Sequence, residues 1–306
     1  MQGFWDQVWT NVVANLVAAA LLAFVPLVIA VALLLRKRHR LFDFFGVSDP
    51  ERGVAIYVSR LQIKPKGTTG VGPITTGYIG PAITRAEFMG ARLVQNLFEA
   101  RIVARVPRTL RQVLRRLDVA LEVVLPTINL SDEGPAAAAA VPALARTHAD
   151  SAAMSNQSIV IIGSPVYNLL SAHHFAVESC PFRFDSIDLP EEDRTGTRRT
   201  ERIFRRREGS DWVSIPGRGH NKELGVILRT RGDGCTVFLC AGLGSSGSYG
   251  AVRFLVEEWP ALRSRYRDGD FAICLEFPNQ EPDCDGEPSS VCDAVIAWQS
   301  QVGPAT

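Results

Sequence analysis

Apolar positions along the chain fall into three kinds of run, and each kind predicts a different element. The first is one uninterrupted stretch, Val12 to Leu35, which holds 24 residues without a charge and has Asn15 as its most polar member. At 1.5 Å per residue, a helix of that length crosses a hydrocarbon core of roughly 30 Å. Trp5 and Trp9 precede the run, where interfacial aromatics belong, and Arg36, Lys37, Arg38 and Arg40 follow it. Pro26 lies inside it, a position that membrane helices tolerate. A cleaved signal peptide carries its positive charge ahead of a shorter apolar core; here Asp6 comes first and the basic cluster last. The order predicts a retained transmembrane helix, with the lipid bilayer as partner and everything after it on the cytoplasmic side of the inner (plasma) membrane.

The second kind is short, β-branched and nearly continuous, the pattern of strands buried on both faces. Val54–Val58, Ser158–Ile162, Leu224–Arg229, Cys235–Ala241 and Phe271–Phe277 read this way, and Asp118–Leu125 is a further strand candidate. Gly232, Asp233 and Gly234 form a tight-turn signal that predicts an antiparallel hairpin between the third and fourth of these. Val291–Trp298 reads as a final short strand or helix.

The third kind recurs at helical spacing. Ala86, Gly90, Leu93, Val94 and Leu97 predict an amphipathic helix over Arg85–Ala100. Thr84 and Glu87 fit a capping box at its start, flanked by Ile83 and Phe88 as a hydrophobic staple. Thr109–Leu117, the run from Leu169 to Val177, and the run containing Ala251, Val252, Leu255 and Val256 are further helices. Between strands and helices lie a glycine- and proline-rich loop over Lys64–Pro81, an alanine- and proline-rich stretch at 131–155, and β-like pieces with polar turns at 180–222.

The arrangement predicts a short extracytoplasmic start (1–11), a transmembrane helix (12–35), a basic juxtamembrane linker (36–53), an α/β domain (54–278) with inserts at 131–155 and 180–222, and a tail (279–306). The expected fold is a three-layer Rossmann-like domain with a mostly parallel sheet and a β-rich insertion.

Composition narrows the chemistry mainly by exclusion. Net charge is +1, so bulk electrostatics selects no partner. The arginine run between Arg194 and Arg207 has acidic neighbours upstream (Asp185, Asp188, Glu191, Glu192, Asp193) and little aromatic interleaving. That argues for a solvated hairpin, with a basic flap over an anion or lipid headgroup as the sharper reading, and against nucleic-acid binding. The six cysteines form no CxxC pair and read as free thiols in a reducing compartment, with a Cys284–Cys292 disulfide left open. The five histidines show no metal spacing, so no metal site is expected, and no motif names a cofactor.

Two strands lead into small-residue turns and then helices. Cys235–Ala241 leads into Gly242, Gly244, Ser245, Ser246 and Gly247, a G-x-G-x-x-G placed between strand and helix. Ser158–Ile162 leads into Gly163, Ser164, Pro165 and, before the next helix, Asn168. The first strand ends in Ser59. In open α/β sheets ligands sit beyond the carboxyl ends of strands, so these residues are the expected binding set for a nucleotide or nucleoside-type ligand. Glycine allows close backbone approach, and a helix start favours an anion. The fingerprint lies too near the C-terminus for a standard dinucleotide dehydrogenase, and the phosphate-loop pattern GxxxxGK followed by Ser or Thr is absent. If the chain is an enzyme, Glu276 and then Glu87 are the carboxylates for nucleophilic or general-base work.

Two resemblances follow from these residues. Ile159–Asn168, IVIIGSPVYN, resembles the strand and flavin-contacting loop of flavodoxin-like FMN reductases, which implies an FMN-dependent oxidoreductase. GSPVYN together with GVIL and AGLGSSGSYGAVRFL is similar to uncharacterised bacterial membrane-anchored Rossmann-like domains, some of which look like nucleotide sensors or effectors. A non-catalytic membrane-tethered interaction module, whose glycine turns only pack, is the remaining expectation.

Overall fold

The computed structural model describes residues 2–47, 54–59, 61–62, 81–98, 127–131, 158–192, 198–215, 222–232, 235–278 and 295–302. The chain divides into two units, Met1–Asp43 and Phe44–Thr306.

The first unit is a single helix, α1, which runs over Gln2–Phe45 and so ends just inside the second unit. Its described side chains between 13 and 37 all lie exposed, among them Val13, Val17, Leu22, Val25, Val28, Ile29, Leu33 and Leu35. At about 100° per residue, Val13 and Leu22 stand on opposite sides, so the exposed apolar surface is wider than an amphipathic stripe. Among the described residues, no helix is long and apolar enough to cross a membrane. Many side chains of the Val12–Leu35 run lie outside the described set, so the expected span rests on the sequence.

The second unit is α/β. Its elements in order are β1 (Val54–Ser59), β2 (Leu61–Gln62), β3 (Pro81–Ala82), α2 (Arg85–Phe98), β4 (Thr127–Ser131), β5 (Ser158–Ile162), α3 (Leu169–Ala176), β6 (Phe182–Glu192), β7 (Arg198–Glu208), β8 (Asp211–Ser214), β9 (Lys222–Gly232), β10 (Cys235–Gly242), α4 (Ser245–Tyr266), β11 (Asp270–Pro278) and β12 (Val295–Val302). Seven strands form one sheet in the order β12-β11-β9-β10-β5-β1-β4. β4, β1, β5 and β10 run parallel, whereas β9, β11 and β12 extend the sheet by antiparallel pairing, so the sheet is mixed. The predicted hairpin is β9–β10, with Cys235 opposite Gly232.

The continuous apolar pattern of the central strands follows from burial on both faces. On one face the strand residues Ile159, Ile161, Leu224, Val226, Leu228, Leu239, Ala272 and Cys274 join Leu170 and Phe175 of α3, Phe182 of β6 and Phe204 of β7 in one core. α2 and α4 pack against each other and against the sheet strands. β6, β7 and β8 make a separate antiparallel sheet, which is the β-rich insertion expected at 180–222.

Both ends of the expected domain move outward. Residues 36–53 read as a linker, yet α1 continues through Phe45, and Phe44, Phe45 and Val47 are buried. Phe44 packs on Phe238, Trp259 and Phe271, with ring centroids at 5.2, 6.1 and 6.4 Å. Phe45 packs on Phe98 and Phe238 at 5.0 and 4.7 Å. The guanidinium of fully buried Arg229 stands 5.2 Å from the rings of both Phe44 and Phe271, and donates to the carbonyls of Arg267 and Gly269. At the other end, β12 lies within the expected tail and pairs with β11. The expected loop at 64–81, helix at 109–117, strand at 118–125 and insert at 131–155 lie almost wholly outside the described residues.

Candidate functional site

The sheet order brings the expected strand ends together. β5 lies between β1 and β10, all three parallel, so Ser59, Gly163 and Gly242 finish at one edge. From β1 the chain goes to β4 on one side and later to β5 on the other, which makes the β1–β5 boundary a reversal of strand order. Crevices at such reversals are where open α/β sheets bind ligands.

A buried polar cluster occupies that boundary. Ser59 is fully buried and donates from Oγ to Glu87 Oε1 at 3.2 Å. Glu87 is only 2% exposed, and among the described residues its Oε2 makes no hydrogen bond. The capping box is half made: Glu87 N donates to Thr84 Oγ1 at 3.2 Å, while the carboxyl reaches across to the end of β1. Burial pushes the carboxyl from its ordinary 4.5 up to about 7, with the Ser59 and Thr84 hydroxyls and the Ser59 backbone only partly offsetting it. The carboxyl therefore exchanges its proton near neutral pH, which suits a general base or a hydrogen-bond partner.

Gly163 closes the cluster from β5. Its φ is +124°, and a Cβ there would collide with Ser59 Oγ and stand 2.8 Å from Glu87 Oε1. Glycine is required on both counts. Its N–H donates to Cys240 O at 3.0 Å, and its carbonyl accepts from Ser171 Oγ at 2.8 Å. The rest of the β5–α3 turn is occupied by its own backbone. Asn168 is the N-cap of α3: Oδ1 accepts from Leu170 N and Ser171 N at 3.1 and 3.2 Å, and Nδ2 donates to Ile162 O at 3.1 Å. Its polar atoms hold the turn, so the base- or ribose-pairing expected of Asn168 has a structural competitor. Ser164, 4% exposed, accepts from Val166 N at 3.4 Å.

The glycine-rich turn before α4 packs closely beside the Glu223 side chain. A Cβ at Gly244 would stand 2.8 Å from Glu223 Oε1, and one at Gly247 would collide with Leu224 O and stand 3.0 Å from Glu223 Oε1. At Gly242 a Cβ would collide with Ser248 N. Each of these glycines is accounted for by chain packing. Ser245 and Ser246 lie exposed on the first turn of α4. Glu223, 7% exposed at the start of β9, is the residue that sequence reasoning missed; an acid heading the otherwise apolar run of β9 was the available signal.

The remaining candidates stand apart. Glu276 is half-buried on β11, with β9 and β10 between it and β5, so it does not join Glu87. The insert arginines are largely answered within the fold: Arg205 pairs with Asp185 at 3.2 Å, Arg206 with Glu208, Arg207 with the carbonyl of Glu178, and Arg202 with the ring and hydroxyl of Tyr167. Cys180, Cys235, Cys240 and Cys274 are buried thiols outside any disulfide, and burial raises each of them (Cys235 to about 11, Cys274 to about 12), so none is poised as a nucleophile. Cys284 and Cys292 lie outside the described residues. A separate pocket of about 120 Å³ near the other end of the sheet is lined by His174, Thr230, Arg231 and Asp270 over Leu228 and Leu239. No protein-family model matches the chain, and no curated protein or solved structure matches it.

Proposed function

We propose that the chain is a membrane-anchored protein whose Rossmann-like, three-layer cytoplasmic domain binds a nucleoside-type small molecule, as a sensor or effector, beyond the carboxyl ends of β1, β5 and β10. The observation that carries the reading is Glu87: a carboxyl 2% exposed, at the reversal of strand order, with one oxygen lacking a hydrogen bond among the described residues. Leaving a buried acceptor unsatisfied costs about 1–3 kcal/mol. A ligand hydroxyl, such as a ribose diol presents, offsets that cost by donating to Oε2. The anchor rests on the 24 uncharged residues of Val12–Leu35 and on the exposed apolar side chains described within them.

Titration calorimetry on the full chain in detergent micelles, against a panel of nucleosides, tests the ligand. Binding that weakens at least tenfold in Glu87→Gln supports the proposal; absence of heat and of thermal stabilisation by every nucleoside rejects it in favour of a non-catalytic interaction module. Release of the chain from membranes by alkaline carbonate would reject the anchor. A second reading, FMN-dependent oxidation–reduction, is favoured by the order of the parallel strands: taken in chain sequence it is 2-1-3-4, the order in which flavodoxin-like sheets hold FMN at the reversal. A purified chain that stays colourless and does not quench added FMN fluorescence removes it.

A further inference from the structure

We propose that the pocket between α3 and the β9–β10 hairpin is a second ligand site, which takes a small uncharged molecule with an apolar body and one hydroxyl, such as a phenol or a cyclic alcohol. It does not rest on the ligand site proposed above. Two cross-strand pairs of the hairpin line the pocket, Leu228 with Leu239 and Thr230 with Val237, on the side of the hairpin turn. The strand-end crevice lies beyond Gly242, at the other end of β10. The pocket holds about 120 Å³, and Val177 at its lining is 42% exposed, so it reaches the surface. An enclosed cavity of roughly 150 Å³ holds benzene. A ring or branched chain of about five or six carbons therefore fits here with its polar end toward the opening.

The polar lining selects a neutral ligand. His174 lines the pocket from α3, and among the described residues its ring makes no hydrogen bond. Burial, with His173 beside it at 5.7 Å between ring centroids, lowers the imidazole to about 4, so it is neutral near pH 7. A neutral imidazole has one nitrogen that donates and one that accepts. A hydroxyl does both and so suits either tautomer. The charges at the rim are answered within the chain: Arg231 pairs with Asp268 at 3.6 Å, and Asp270 accepts from the Arg231 backbone N–H and lies in the field of Arg229 and Arg231. An ion would give up its hydration against Leu228 and Leu239 without gaining an unmatched counter-charge, whereas a neutral molecule loses little.

The test uses the full chain in detergent micelles, titrated calorimetrically with phenol, benzene and benzoate; partition of each probe into micelles is common to the native chain and its variants. The native chain should bind phenol about threefold to tenfold more tightly than benzene, the worth of one net hydrogen bond, and benzoate most weakly. His174→Phe keeps a ring in place and removes the hydrogen bond, so phenol should fall to the affinity of benzene. Val177→Trp lays bulk across the opening at an exposed position, and should abolish binding of both while leaving the melting temperature within about 2 °C of native. A native chain that binds none of the three, or that prefers benzoate to phenol, overturns the inference. So does a phenol preference that survives His174→Phe, or native-like binding by Val177→Trp.

Discussion

Replacing Glu87 by glutamine should change how stability depends on pH, in a direction fixed by its burial. In the folded chain the carboxyl is raised from 4.5 to about 7, so folding takes up a proton in the interval between those values. The contribution of Glu87 is complete below about pH 4.5 and is lost as pH rises through about 7, where the fold must hold a buried charge. At 1.36 kcal/mol per unit, the loss is on the order of 3 kcal/mol. Glutamine keeps the shape and cannot ionise. The difference in stability, Glu87→Gln minus native, should therefore climb between about pH 4.5 and 7 and level off above it. For a domain of this size 1 kcal/mol moves the melting temperature by about 2–4 °C, so the two melting curves should separate by roughly 6–12 °C across that range. His174, which burial and His173 lower to about 4, contributes an opposite slope: its stability is lost as pH falls below the ordinary 6.5. It is common to both proteins and cancels in the difference. Thermal melts at half-unit steps from about pH 4.5 to 8 provide the measurement. A difference that stays flat would show that Glu87 titrates as an ordinary surface acid, and the reasoning about the cluster would fail with it.

Two further outcomes are expected. Phe44→Ala should cost about 3–5 kcal/mol, read as a large fall in melting temperature, whereas Phe88→Ala at a ring 45% exposed should cost less than about 1 kcal/mol; equal effects would refute the core placement of Phe44. Gly163→Ala should destabilise by about 2 kcal/mol or more, because φ of +124° and the contacts with Ser59 and Glu87 both oppose a Cβ, and a melting temperature within about 1 °C of native would count against that geometry.

Much of the fold is legible because the buried strands are apolar on both faces. VAIYV, SIVII and CTVFLCA announce themselves, as does the helix beginning at Arg85. β4 is not legible: TINLS is short and half polar at the sheet edge, where one side of the ladder needs no apolar cover. β12 is legible only in part: Val291–Trp298 reads as either a strand or a helix, while the strand formed is Val295–Val302, and its register with β11 is broken by a bulge at Cys274/Leu275. Phe44 and Phe45 follow a basic cluster, and nothing local says that their partners lie on β10, α4 and β11. At the candidate site, sequence points to Ser59, Gly163 and Glu87 as candidates and favours a capping over a functional role for Glu87, because the capping-box spacing already accounts for it. Asn168 was legible as a strand-end polar group, and its capping role was equally available from the helix that follows it. Glu223 belongs to no motif; only the pairing of β9 with β10 carries it to the glycine turn.

The seating of Phe44 and Phe45 also orders events during synthesis. These rings leave the ribosome with the end of α1, but Phe238, Trp259 and Phe271, on which they and Arg229 close, come roughly 200 residues later. At about 5–20 residues per second that is an interval of some 10–40 s in which the pair has no core to enter. The domain therefore cannot complete its fold progressively from the N-terminus. Closing this part of the core joins the end of α1 to β10, α4 and β11, and a nascent chain stalled before β11 should remain open to proteases around Phe44 and Phe45, which are buried in the finished protein.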